Sequence, residues 1–219
     1  MTAHAGGWVR HDWKGSAEDF HALQPALTRA MWWSQITQPA LILGSSQSMN
    51  DIDLNVAHKA GIEIVRRRSG GGAVWVHPHD SVWIDVTIAR TDPLWTDDVT
   101  TSMLWLGEVF RQALQPWVTA TVRTGAYESG LDGRAVCFAS ASPGEVFVGN
   151  NKLVGISQRR TRDGARLQCV LYRAWDPKLW LQSLSDSALR ERIMTMSVAT
   201  LDVAASDIVD AVASALPLL

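Results

Sequence analysis

The chain is poor in cysteine: two in 219 residues, Cys137 and Cys169. Two thiols cannot build a disulfide framework, and without help from histidine they cannot build a zinc site. Free thiols fit a reducing compartment. Charge of one sign is also missing, because 20 Lys and Arg against 22 Asp and Glu leave a net −2. That removes any global electrostatic case for nucleic acid or membrane. No apolar run approaches a membrane span, and the N-terminal stretch lacks the apolar core of a signal peptide. There is no internal repeat and no low-complexity linker. What remains is an ordinary globular composition, 47% hydrophobic and 19% charged, in a chain long enough to bury a large core. The expectation is a soluble cytoplasmic protein with one domain over 1–219. Its core would cover about 35–180, with C-terminal helices over 181–219 and no accessory domain after them.

Against this background stands Arg66-Arg67-Arg68-Ser69-Gly70-Gly71-Gly72-Ala73-Val74. Three adjacent cations run into three adjacent glycines. Each glycine costs conformational entropy on ordering, so three together imply close approach of the backbone. A loop of this kind can cradle an anion, with arginine supplying paired donors for phosphate or carboxylate. The plainer reading is a glycine-rich turn with arginines on a solvated face.

The pattern around this loop is mixed. Residues 1–15 read as loosely ordered, and 16–31 as a weak helix interrupted by Pro25. Ala40–Leu43 reads as a buried strand. Asn50 or Asp51 caps a helix that ends at Gly61, and Ile62–Val65 is a strand entering the loop. Val82, Ile84, Val86 and Ile88 alternate with polar neighbours, the mark of a half-buried strand. A helix is expected from Thr96 to Pro116, and a possible strand at Val118–Val122. Gly149-Asn150-Asn151 and Asp163-Gly164 read as hairpin turns. Asp176-Pro177 starts a helix, and two more helices follow, near Ser187–Met196 and from Ser206. The class is α/β (α+β), with a mixed, largely antiparallel sheet flanked by helices. Eleven tryptophans are a high count; Trp32-Trp33 can face a partner or pack in a core.

A second feature is Asn151-Lys152-Leu153-Val154-Gly155-Ile156-Ser157-Gln158. By itself Lys152 reads as a surface hairpin lysine. Beside an anion loop it can polarise a carbonyl or neutralise a phosphate.

Together these two segments resemble the RRxSGGGAV and xK[IV]xGxAQ motifs of lipoate-protein ligases, in the expected order. Gly44-Ser45-Ser46-Gln47 resembles the family's GxxQ element, and the likeness spans about residues 40–172. The resemblance implies a fold of the biotin/lipoate ligase type, related to class II aminoacyl-tRNA synthetases. It also implies transfer of a lipoyl or octanoyl group to a lysine of a small acceptor. The implied acceptors are the lipoyl domains of 2-oxoacid dehydrogenases and the glycine-cleavage H protein.

Two chemistries are implied. A ligase adenylates lipoate with ATP and magnesium; an octanoyltransferase takes octanoate from acyl carrier protein through a cysteine thioester. In the ligase reading Arg66 and Arg67 balance phosphate charge, and Lys152 holds the acyl carbonyl and the phosphate. Gly70, Gly71 and Gly72 pass the backbone beside the acyl chain, while Ala73, Val74 and Trp75 can line an apolar slot. Ser69, His77 and Gly155 complete the implied substrate-binding set. Burying an eight-carbon chain is worth roughly 0.8 kcal/mol per methylene. In the transferase reading Cys137, within Val136-Cys137-Phe138-Ala139, is the nucleophile. Cys169 reads as a core residue.

The sequence departs from the ligase pattern in two places. His77 comes third after Gly70–Val74 rather than second, closer to the octanoyltransferase arrangement. Gly144-Glu145 stands where ligases carry an Asn-Asp pair. His77, His79 and Asp80 form too thin a set for a metal site. The triple-Arg/triple-Gly loop with Lys152 tips the expectation toward the ATP-dependent ligase, with an accessory subunit as a possible requirement. Alternatives are the Cys137 transferase, a non-catalytic acyl- or adenylate-binding module and, further off, a biotin ligase.

Overall fold

The computed structural model describes residues 2, 3 and 7–218. Its strands are β1 (Thr2–Ala3), β2 (Val9–Gly15), β3 (Ala30–Ile36), β4 (Ala40–Leu43), β5 (Glu63–Arg66) and β6 (Val74–Val76). They continue with β7 (Ser81–Ala89), β8 (Thr121–Val122), β9 (Val146–Val148), β10 (Asn151–Arg160) and β11 (Gly164–Tyr172). The helices are α1 (Ala17–Ala22), α2 (Leu54–Lys59), α3 (Leu104–Leu114), α4 (Lys178–Leu181), α5 (Ser187–Met194) and α6 (Ala205–Ala215). Eight strands form one sheet in the order β1-β2-β3-β7-β11-β10-β9-β8, and three form a second in the order β5-β4-β6. Among the described strands, only β2–β3 in the large sheet and β4–β5 in the small one pair in parallel, so the large sheet is mixed and largely antiparallel. Among the described residues no helix is long and apolar enough to cross a membrane.

The period of two in β7 and β11 sorts two cores. Val82, Ile84, Val86 and Ile88, with Leu167, Cys169 and Leu171, face α3 and α6. On the opposite face Trp83, Val170 and Tyr172 join the second core with the small sheet. Both faces are therefore covered, and β7 is buried from Val82 to Ile88. The alternation predicts a half-buried strand because Trp83, Asp85 and Thr87 read as solvent-facing. The small sheet and α1 close over them instead.

Other differences are local. Val9–Gly15 is an ordered strand that pairs with β3, not a loose segment; residues 1 and 4–6 of that stretch lie outside the described residues. The weak helix over 16–31 shrinks to α1, capped by Ser16, because Pro25 and the start of β3 end it. Asp53, rather than Asn50 or Asp51, caps α2; its Oδ1 accepts from the amides of Asn55 and Val56. The Thr96–Pro116 helix is regular only from Leu104, since 97–103 are turns held by Asp98 and Ser102 side chains. Trp32 and Trp33 are half-buried on opposite faces of β3, each against a different core. Both hairpins form as expected.

Candidate active site

A narrow cleft opens between the two sheets. Its floor is Gly155 and Ser157 of β10 with Gln168 and Val170 of β11; its roof is Ile42 and Val74 of the small sheet. Gly155 is there because a Cβ would lie 3.0 Å from the Phe138 ring, which caps one end. Cys137 lines that same end and is 8% exposed.

The glycine loop runs along one side. A Cβ on Gly72 would meet Gly133 O, Val136 N and Cys137 N at 2.7–2.8 Å, all backbone atoms. Gly72 thus lets the loop touch the Cys137 segment, where Cys137 N–H donates to Ala73 O and Ala73 N–H to Ala135 O. Gly71 has φ +99°, and a Cβ there would strike the Arg67 guanidinium. Gly70 faces open space. The Gly44–Gln47 element braces this contact. Gln47 accepts from Gly44 N–H at 2.8 Å and donates to Ala135 O at 3.0 Å, and a Cβ on Gly44 would collide with Gly71 O.

Lys152 is not a surface lysine. It is 2% exposed, and its Nζ donates to Cys137 O and to Glu145 Oε1, both at 2.8 Å. Its Nζ also lies 5.4 Å from the Phe138 ring centroid. Glu145, 1% exposed, accepts a further bond from Ser142 N–H. Burial pushes the Glu145 carboxyl above its ordinary value, and the Lys152 ammonium opposes that. The Gly144-Glu145 departure thus supplies the counter-charge of Lys152. Tyr172 OH donates to Trp75 O at 2.7 Å nearby, and burial keeps that phenol protonated.

The three arginines part company. Arg66 is exposed and donates to the carbonyls of Ser45 and Gln47. Arg67 is 5% exposed and lines the cleft, donating to Gly72 O at 3.0 Å and Ser157 Oγ at 3.2 Å. Arg68 is exposed. Ser69 is buried and donates to Gln168 Oε1. The structure therefore brings together Arg67, Ser69, Gly72, Ala73, Val74, Cys137, Lys152 and Gly155, with Arg66, Gly70 and Gly71 at the rim. His77 stands apart, paired with Asp80 at 2.8 Å and outside the cleft lining. Cys169 is a core residue; burial, then nearby Asp85, pushes its thiol well up.

Sequence reasoning missed the end of the cleft opposite Cys137. There His21 from α1 tilts over Trp83, ring centroids 4.9 Å apart. Buried Asp85 pairs with Arg166 Nε and accepts from Trp83 Nε1 at 2.7 Å. Arg166 also donates to the carbonyls of Phe20 and Leu23, pinning the end of α1. Gln168 links Asp85, Ser69 and His21. Burial, then Arg166 and Arg67, lowers the His21 pKa to about 3. The one available signal was the alternation of polar residues on two strands whose other face is apolar.

Three comparisons bear on this arrangement. The sequence model of the lipoyl protein ligase A/B catalytic domain matches residues 20–216. The octanoyltransferase LipM of Moorella thermoacetica is 31% identical over 179 residues, 78% of this chain. The matched region spans 62% of that relative's length. Among solved structures, a bipartite lipoate protein ligase from Thermoplasma acidophilum, studied with its E2 lipoyl domain, superposes with a TM-score of 0.70 at 18% identity. That superposition covers 97% of this chain and 82% of the other. A lipoate-protein ligase A bound with ATP gives the same TM-score and identity, covering 97% and 84%. These two likenesses establish the fold.

Proposed function

The chain belongs to the lipoyl protein ligase A/B catalytic-domain family, and from that premise we propose that it transfers an eight-carbon acyl group from a thioester donor to a protein lysine through Cys137. One observation carries the reading: Cys137 lines the apolar cleft while the Lys152 ammonium, held by Glu145, donates to the carbonyl of that same cysteine. The 31% identity to an octanoyltransferase supports it.

In the first step the Cys137 thiolate adds to the donor carbonyl. The donor C–S bond breaks, and its sulfur leaves as a thiol with the proton that Cys137 gave up. In the second step the acceptor lysine amine attacks the Cys137 thioester. An amide forms and the thiol returns to Cys137. Lys152 has three N–H donors, two of them answered by Cys137 O and Glu145. The third serves the oxyanion that develops in each step, and a dry site makes that donor strong. The Gly72 contact and the Gln47 brace hold Cys137 in place. The donor proposed is octanoyl-acyl carrier protein, and the acceptor a lipoyl domain or a glycine-cleavage H protein.

ATP-dependent ligation of lipoate is the second reading, favoured by exposed Arg66 and Arg68 beside Gly70. It requires a nucleotide with magnesium. Lys152 and Arg67 fit triphosphate less well, since Lys152 already has a carboxylate partner and Arg67 already donates to Gly72 and Ser157.

The test offers an apo lipoyl domain two donors and follows its intact mass. Octanoyl-acyl carrier protein without ATP should add the octanoyl mass, and Cys137→Ser should abolish the gain and the acyl-enzyme adduct. Gain only with lipoate, ATP and magnesium would establish the ligase instead. No gain under either condition would leave a binding module or a missing subunit.

A further inference from the structure

The cleft occupies only one side of the Cys137 turn. It lies over β7, β11 and β10, where Trp83, Val170 and Gly155 are aligned in register. A second, open groove lies on the other side, over the start of β10 and over β9 and β8. Lys152 is paired with Phe147 of β9, and Phe147 with Thr121 of β8. Residues directly opposite in antiparallel strands project to one face, about 5 Å apart. Phe147 and Thr121 therefore continue the face on which Lys152 meets Cys137 O.

The groove wall is tied to the same turn. Glu128 and Ala141 exchange two backbone hydrogen bonds of 2.8 Å. Ala141 follows Ser140, whose Oγ donates to Cys137 O at 2.8 Å. The groove thus begins where the cleft ends, with Cys137, Phe138 and Lys152 between them.

The two hollows differ in chemistry. Ile42, Val74 and Val170 make the cleft apolar. The groove is lined by Thr121, Arg123, Thr124, Glu128, Phe147 and Asn150, all polar but one. Its two charges are unequal in reach. Arg123 is paired with Glu128 and donates to Ala126 O at 3.0 Å; its side chain is 24% exposed against 71% for Glu128. The groove therefore offers solvent a carboxylate more than a guanidinium, which suits an ammonium better than a phosphate.

The dimensions suit a lysine. From β8 to β10 is about 10 Å, two strand spacings. A lysine side chain has five bonds from Cα to Nζ and reaches about 6 Å. A lysine whose Cα stands just outside Phe147 brings its Nζ to the Cys137 turn. Its backbone then lies at β8, which ends the sheet among the described strands, so a partner reaches it without crossing the fold.

We infer that this groove admits the acceptor lysine, with Glu128 meeting its ammonium at the mouth and the acceptor's backbone resting along β8. The acyl-transfer reading, on which this rests, supplies Cys137 as the acyl-bearing residue. Lys152 stands at the inner end, where a like charge favours the neutral amine, the form that attacks; the lost proton passes to solvent. Acyl chain and amine then lie on opposite sides of the thioester.

The test separates loading from transfer. The full-length protein is loaded with octanoyl-acyl carrier protein, freed of donor and mixed with an apo lipoyl domain, and intact mass follows both steps. In Glu128→Lys the half-saturating concentration of acceptor should rise about fivefold, the upper end for an exposed ion pair, and Glu128→Asp should restore most of it. Thr121→Trp should slow transfer more than loading by filling the groove. Both positions are exposed, so neither change disturbs the core. Transfer as in wild type in both variants overturns the inference. Equal slowing of loading and transfer also overturns it, by giving the groove to the donor's arm. If the wild type takes no acyl group, the transferase reading falls and calorimetry decides the groove. The apo lipoyl domain should then bind more tightly than a version with methionine at its acceptor lysine, and Glu128→Lys should remove the difference. Equal binding of the two domains, or none, overturns the inference.

Discussion

Lys152 Nζ lies 2.8 Å from the carbonyl oxygen of Cys137, although the two residues sit on different elements fifteen positions apart. The bond ties a β10 lysine to the 3-10 turn over 137–139, so the cation and the thiol-bearing residue cannot move independently. Glu145 completes the link from the start of β9, and the three residues form one buried unit.

The first prediction concerns that unit. Removing one partner of a buried ion pair leaves an uncompensated charge and costs about 3–5 kcal/mol, whereas replacing both can be nearly neutral. Glu145→Gln and Lys152→Met should each destabilise by that order. The double variant should lose clearly less than the sum of the two. Urea denaturation of the four proteins measures this, and additive losses would mean that the pair is not coupled. Acyl transfer should fall in every variant lacking Lys152, including a well-folded double variant.

The second concerns acid. His21 takes up its proton near 6.5 in the unfolded chain and near 3 in the fold, held down by burial and by Arg166 and Arg67. Its folded pKa is lowered, so the unfolded state binds the proton first as pH falls. Stability is full above about pH 6.5 and is lost progressively toward pH 3. At pH 5 the loss from this group is about 2 kcal/mol relative to pH 7. Asp85, which Gln168 links to the same ring, and the cations Arg166 and Arg67 are present in both proteins compared. Unfolding midpoints at pH 7 and 5 should therefore converge more in His21→Leu than in wild type, and equal pH slopes would refute the assignment.

What the sequence made legible was contiguous. Arg66–Val74, Gly44–Gln47 and Lys152–Gly155 are each continuous within a few residues; Arg67, Val74 and Gly155 line the cleft, while Gln47 and Lys152 hold the segment that carries Cys137. The central strands and both hairpins were readable from period and turn residues. The far end of the cleft was not, because His21, Asp85, Arg166 and Gln168 come from three separate elements. Their polarity marks a solvent-facing strand until something covers it, and no local pattern announces that a second sheet will. Lys152 was misjudged in isolation for the same reason, since its counter-charge precedes the turn and is paired only once β9 and β10 align. The glycine triplet was half understood. Gly72 is required by the protein's own backbone, whatever passes beside it.

A third prediction tests the brace. Gln47 joins Gly44 to Ala135, two residues before Cys137. Gln47→Ala removes both bonds; Ala135 O keeps the Ala73 N–H, but the Gly44 amide loses its acceptor, at about 1–3 kcal/mol. Gln47→Glu keeps the acceptor for Gly44 N–H but loses the donor to Ala135 O. If the brace positions Cys137, both variants should slow alkylation or acylation of Cys137 by more than their loss of stability explains. Unchanged Cys137 reactivity in a destabilised Gln47→Ala protein would reduce the residue to a packing role.

The glycines separate into one that the fold requires and one that it does not. A methyl on Gly72 would sit 2.7–2.8 Å from Gly133 O, Val136 N and Cys137 N, and none of these backbone atoms can swing aside. Gly72→Ala must push the 133–137 segment away from the loop. That breaks the Cys137 N–H to Ala73 O bond and the paired Ala73 N–H to Ala135 O bond. A loss of about 2 kcal/mol or more follows, with a shift in Cys137 reactivity. At Gly70 the same methyl meets nothing within 4 Å, and the backbone there is not left-handed. Gly70→Ala should stay within about 0.5 kcal/mol of wild type. Thermal unfolding and iodoacetamide labelling of the two variants, side by side, decide the matter. Equal effects would mean that the triplet acts through flexibility. A large effect at Gly72 alone places its role in the contact that sets the position of Cys137.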